Sequence, residues 1–207
     1  MVFKRRTPKT WVKFTADLIY PRGGWGRALS YMKHRLNRLP DPPERIARGV
    51  YAGMFACFSP FFGLHMIVAV VVAKVLRGNV IASLITTFVS NPFTLPFLAS
   101  ASLHVGYLIM RKPIDEINVR LFLRETGGFF EDLWHNSLAQ FTGEAVDWGA
   151  SAHFYDDIFL PYLFGGVFIG TVLGLLSYYA TVPTVRLYQK RRAMRVAARR
   201  NDLPKER

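Results

Sequence analysis

No Asp, Glu, Lys or Arg occurs in residues 49–73, 79–110 or 158–185, although the 207-residue chain carries 27 Lys and Arg against 14 Asp and Glu. These uncharged runs are 25, 32 and 28 residues long. A helix needs about 20 apolar residues to cross the hydrocarbon core of a bilayer. Each run is therefore long enough, and the second is too long for one straight crossing. Three such runs in so short a chain argue against a water-soluble core. Cysteine is nearly absent, with Cys57 alone, so no intrachain disulfide can form. Residues 1–45 lack a long apolar stretch, because Lys13 and Asp17 interrupt it. No cleavable signal peptide is expected, and the spans themselves must carry targeting. The runs hold no carboxylate, which weighs against a proton-coupled transporter built on Asp, Glu or Lys at membrane depth. No Ser/His/Asp or Cys/His set, phosphate loop or metal-ligand spacing is evident. The chain is expected to need no cofactor or metal, and enzymatic activity is the weakest of the readings.

Basic residues divide unevenly between the runs. Residues 1–48 hold twelve Lys and Arg, residues 74–78 hold two, residues 111–157 hold four against nine acids, and residues 186–207 hold nine. Positive flanks stay in the cytoplasm. The charges predict a bacterial inner-membrane protein with both termini cytoplasmic and residues 111–157 external. The first run must then leave and return, as a re-entrant helical hairpin or two short tilted helices, if Lys74 and Arg77 are inside. The alternative is a straight first span with those two residues outside. The predicted fold is all-α and polytopic, with interrupted helices and amphipathic surface helices. It divides into a cytoplasmic basic amphipathic segment at 1–45, a membrane domain at 46–184, and a cytoplasmic basic tail at 186–207.

Residues 11–20 read as a short amphipathic turn or two. Trp25, Leu29, Met32, Leu36 and Leu39 then recur at helical spacing among Arg27, Lys33, His34, Arg35 and Arg38, as in a helix lying on the membrane surface or packed on the protein's own cytoplasmic face. Asp41 is placed to cap the next helix, and Glu44 sits where a capping-box acid belongs. The first run is interrupted near Ser59, Pro60 and Gly63, and the second near Asn91, Pro92 and Pro96. Pro60 and Pro92 sit in similar contexts, a faint internal repeat. Residues 111–157 read as one or two amphipathic helices along the outer surface. The last run carries Gly166, Gly170 and Gly174 at a spacing that lets another helix approach closely. Tyr162, and Tyr178 with Tyr179, suit the two interfaces. The tail that follows places Arg186, Lys190, Arg191, Arg192 and Arg195 where anionic lipid head groups would meet them. Nucleic-acid binding is the weaker rival for this tail.

The stretch Gly49-x-x-x-Gly53-x-Phe55-x-x-x-Ser59-Pro60-Phe61-x-Gly63-x-His65, then Arg77-Gly78-Asn79, Ser90-Asn91-Pro92-Phe93-Thr94-x-Pro96 and Gly106, resembles the bacterial membrane family catalogued as domain of unknown function 2062. The resemblance covers about residues 30–182. It implies an integral inner-membrane protein and no established activity, substrate or catalytic residue.

The polar groups inside the runs nominate a site. Interrupted segments in neighbouring spans point to a binding site near the membrane midplane, and the candidates are Ser59, Pro60, Gly63, His65, Asn79, Asn91, Pro92 and Thr94. Transport of a small solute, or lipid handling, at these breaks is the expected function. The alternative is a membrane scaffold or accessory protein with neither transport nor catalysis. The expected partners are the bilayer and its anionic lipids, with a membrane-protein partner or a homo-oligomer as further candidates, and the glycine face is expected to pack within the protein on one of the interrupted helices. For His65 and Asn91 there is also a purely structural reading, in which they satisfy backbone groups freed by the breaks.

Overall fold

The computed structural model describes residues 24–61, 63–91, 93–114, 117, 119–142 and 145–201. The expected amphipathic turn at 11–20 and Pro92 fall outside them. All regular structure among the described residues is helical: α1 (Gly24–Asn37), α2 (Pro43–Cys57), α3 (His65–Val75), α4 (Val80–Thr87), α5 (Leu95–Met110), α6 (Val119–Thr142), α7 (Gly149–Phe154) and α8 (Leu160–Asn201). A π-turn, Tyr155–Phe159, joins α7 to α8, so that Gly149–Ala198 is one continuous helix. By length and composition it is the one helix among the described residues able to cross a membrane, while α3 and α5 are shorter apolar helices.

α8 is the spine. Its glycine face lies on α2: a Cβ at Gly166 would overlap the Phe58 carbonyl, one at Gly170 would sit 3.0 Å from the Phe55 carbonyl, and one at Gly174 would sit 2.9 Å from the Tyr51 ring. Gly165 turns toward α5, where a Cβ would overlap the Ser102 carbonyl; one at Gly106 would overlap that of Pro161. Residue numbers rise along α2 and α5 as they fall along α8, so both run antiparallel to it. α4 lies parallel to α2, with Gly49 against Asn79 and Gly53 against Ser83. α3 returns between them, and the Ser83 hydroxyl donates to the Ala69 carbonyl (2.9 Å).

The contacts of α2 with α4 expose an internal repeat. Val50, Ala52, Gly53 and Phe58 have Val80, Ala82, Ser83 and Phe88 thirty positions later. Helix stops at Cys57 and Thr87 and resumes at His65 and Leu95, so the two breaks also differ by thirty. Pro60 therefore corresponds to Ser90, and the expected match of Pro60 with Pro92 is two residues out of register.

At the end of the spine where α1 ends and α2 begins, Ile46, Val50, Ala82 and Val185 form a buried cluster on which Leu36 and Leu39 pack. Leu36 of α1 and Leu39 beyond it thus pack on the protein's own face. Asp41 does not cap α2: Pro42 holds the N-cap position without a side-chain bond. Asp41 instead pairs with Arg45 (2.9 Å) and accepts from the Asn79 amide. Glu44 pairs with Arg186 rather than closing a capping box. At the opposite end, Leu103, Tyr107, Ile158 and Tyr162 form a second cluster, covered by Ile117, Leu121 and Phe122. Tyr162 is 1% exposed and so is core rather than an interface anchor. A π-turn leaves carbonyls without their usual helical partners. Here the Tyr107 hydroxyl takes that of Asp157 (2.9 Å) and the Lys112 ammonium that of Asp156 (2.6 Å).

Candidate functional site

The two breaks meet. Cys57, the last residue of α2, points its sulfur at the carbonyls of Thr86 and Thr87 (3.8 and 3.9 Å), where α4 ends. Between the breaks lies a cavity of about 200 Å³ lined by Cys57, Ser59, Phe61, Gly63, His65, Ser90, Asn91 and Leu95. It therefore gathers Ser59, Gly63, His65 and Asn91 from the sequence candidates. Cys57 and Ser90 also line it and are not among the sequence candidates, although Ser90 opens the Ser90-Asn91-Pro92 stretch. Pro60 is buried beside the cavity.

Thr94 belongs to the turn rather than to the lining. Its hydroxyl accepts from the Asn91 N–H (3.0 Å) and donates to the Val89 carbonyl. Asn91 works from the other side of the same turn, its Oδ1 accepting from the N–H groups of Phe93 (2.9 Å) and Thr94 (3.1 Å). These bonds satisfy backbone that the break frees just before α5. Ser59 likewise donates to the Ala56 carbonyl (2.9 Å). Among the described residues, half-buried His65 and the half-buried Ser90 hydroxyl make no side-chain hydrogen bond, so the imidazole and that hydroxyl are uncommitted polar groups of the lining.

Asn79 is elsewhere. It is the N-cap of α4, its Oδ1 accepting from the Ala82 N–H (2.7 Å), and its own N–H donates to the Arg45 carbonyl. That places it at the start of α2, at the other end of the packed helices. The signal was present: an Asn after Gly78 and before an apolar helix is an N-cap pattern.

The cavity does not sit halfway along the spine. Phe58 contacts Gly166, and the Phe61 ring meets that of Phe159 edge-on (6.0 Å). Both contacts lie in the first third of the uncharged stretch 158–185. Toward the start of α2 the floor is close-packed, with Ala52, Ala56, Ala69, Ala73 and Ala82 all fully buried. To the side, Phe61, Gly63, Leu64 and Met66 are exposed.

A sequence profile described as an uncharacterised protein conserved in bacteria, DUF2062, matches residues 26–194. The chain belongs to that family. No curated protein and no solved structure matches it. The matched segment contains both breaks, the glycine face and the first basic residues of the tail, and the family description carries no activity. Of those basic residues, Arg186 is engaged by Glu44 (2.5 Å). The Glu44 carboxyl is held below its usual pKa first by a backbone N–H and then by Arg186. Lys190, Arg191, Arg192 and Arg195 are exposed.

Proposed function

We propose that this chain is an integral protein of a bacterial inner membrane that handles lipid at the cavity between its two helix breaks. In this reading α2 and α3 form a re-entrant hairpin entering from the cytoplasm. α4 and α5 together make one discontinuous outward crossing, and α8 returns. Both termini are cytoplasmic. What supports the topology is the 76–79 turn, where Arg48 donates to the Arg77 carbonyl (3.2 Å). Lys74 and Arg77 thus lie beside the start of α2 with Arg45 and Arg48. The uncharged length of α8 agrees: 28 residues at about 1.5 Å each give about 42 Å, the thickness of a bilayer with its head-group regions. Lys112–Asp157 and Glu44–Arg186 ion pairs mark its two ends.

The observation that carries lipid handling over solute transport is the shape of the cavity. Its floor is close-packed helix, which offers a solute no way through, and its side faces the apolar exterior. A small cavity with one uncommitted imidazole and a lateral opening suits the polar region of an amphipathic molecule whose chains stay in the bilayer. Photolabelling tests this directly. A phospholipid carrying a diazirine near its glycerol, mixed into nanodiscs holding the protein, is expected to label residues 57–65 and 90–95, and Leu95→Trp is expected to abolish that label by filling the cavity. Label confined to the exposed faces of α3 and α8, unchanged by Leu95→Trp, would overturn the reading. The scaffold reading draws on the exposed Lys190, Arg191 and Arg195 alongside exposed Leu187, Met194 and Val196. It predicts that function survives Leu95→Trp and is lost when the chain is cut before Lys190.

A further inference from the structure

α6 is apolar on two opposite faces, and among the described residues only one of them is covered. The covered face lies on α7 and its flanks: the Phe129 ring stacks on Phe154 (4.6 Å), Asp132 accepts from the Ser151 N–H (2.6 Å), and Asn136 exchanges two hydrogen bonds with the backbone of Asp147. On the far side Leu123, Phe130, Trp134 and Phe141 are 64%, 62%, 71% and 88% exposed. With Gly127 and Ser137 these residues step by 4, 3, 4, 3 and 4, the spacing of a coiled-coil seam. A Cβ built on Gly127 meets nothing within 4 Å, so the seam is open along its length.

The seam is also symmetric about Asp132. Leu123 and Phe141, Gly127 and Ser137, and Phe130 and Trp134 each lie equally far on either side of it. Two copies of α6 packed antiparallel about a two-fold axis would set each residue against its mirror position. The small residues would face each other between layers of large ones, which lets the backbones approach as an isologous contact requires. Leu138 and Leu133, also exposed, flank the seam. Covering the large side chains on both copies removes on the order of 1,300 Å² from solvent, within the range of a specific interface. We propose that the chain forms a homodimer through this antiparallel α6 seam. The register brings Glu131 near its own copy, a like-charge approach that weakens the contact.

Disulfide trapping in native membranes, using the full chain with Cys57→Ala, tests both the partner and the register. Leu123→Cys and Phe141→Cys co-expressed on separate copies should cross-link, as should Phe130→Cys with Trp134→Cys. Leu123→Cys alone should not, since its two copies are about 27 Å apart along the seam at 1.5 Å per residue. Glu131→Gln should raise the 123–141 yield severalfold. A cross-link of Leu123→Cys to itself would overturn the antiparallel register. Absence of dimer from every pair, with a lipid-borne diazirine labelling Trp134 instead, would overturn the dimer and assign the face to the bilayer.

Discussion

Residues 58–64 and 88–94 interrupt helix at equivalent places in a thirty-residue repeat, yet after the first break the chain turns back and after the second it goes on. α3 runs against α2, while α5 continues in the sense of α4. Within the first break Gly63 has φ +78°, a left-handed conformation that glycine adopts at little cost. No described residue of the second break has positive φ; its turn is held by the Asn91 and Thr94 side chains instead. One break is built from backbone freedom and the other from side-chain hydrogen bonds. A repeated unit can thus change topology through a few turn residues while its helix–helix contacts stay in register.

The repeat is most sharply tested where its two copies touch. Gly53 and Ser83 are equivalent, but a Cβ on Gly53 would overlap the Ser83 carbonyl and lie 2.7 Å from the Thr86 Cβ. Gly53→Ser, which makes the copies identical here, should cost more than about 4 kcal/mol by forcing two backbones apart, read as loss of folded protein in detergent. Ser83→Ala removes one buried hydroxyl bond and should cost about 1 kcal/mol. Equal effects would break the comparison. The second break should fail next. Thr94→Val forfeits two hydrogen bonds and leaves the Asn91 N–H unpaired, a loss of about 2–3 kcal/mol in thermal stability. Ser59→Ala, in the first break, loses a single bond and should cost about 1 kcal/mol or less. The first break has its own weak point. Gly63→Ala should cost about 1–2 kcal/mol through backbone strain alone, since space around it is open, and Gly63→Asn should cost less because Asn tolerates the left-handed region.

Much of this was legible in the residues. Pro60 and Gly63, and Asn91 with Pro96, announced two breaks, and helix does stop at Cys57 and Thr87. The thirty-residue register was not, because prolines draw the eye and the two breaks place theirs differently; only the facing of Gly49 on Asn79 and Gly53 on Ser83 reveals it. Asn79 was grouped with the site because it opens an uncharged run, although its place after Gly78 was that of a cap. The seam on α6 repeats at a readable spacing, but sequence cannot say which of two apolar faces the chain itself covers.

Asn91 should be the mildest site for stability and the most informative for function. Its structural work is done by one atom: Oδ1 accepts from two backbone N–H groups, whereas Nδ2 reaches only the Val89 carbonyl at 3.4 Å. That last bond is long, so the amide donor contributes little to the turn. Asn91→Asp keeps the acceptor, and Asn91→Ser keeps an oxygen able to serve one N–H; both residues are competent in such turns. Either change should therefore shift thermal stability by no more than about 1 kcal/mol. The donor is what both remove, and it belongs to a side chain lining the cavity. If a head group accepts from it, both variants should lose lipid photolabelling at residues 57–65 while staying folded. Asp also adds a charge in a poorly hydrated place, so Ser is the cleaner probe, and loss with Asp alone would report desolvation rather than recognition. Stability and labelling falling together in Asn91→Ser would show the residue to be a cap and nothing more. Full labelling in both variants would leave His65 as the group to test, by His65→Phe, which removes the ring nitrogens while keeping an aromatic side chain at the cavity.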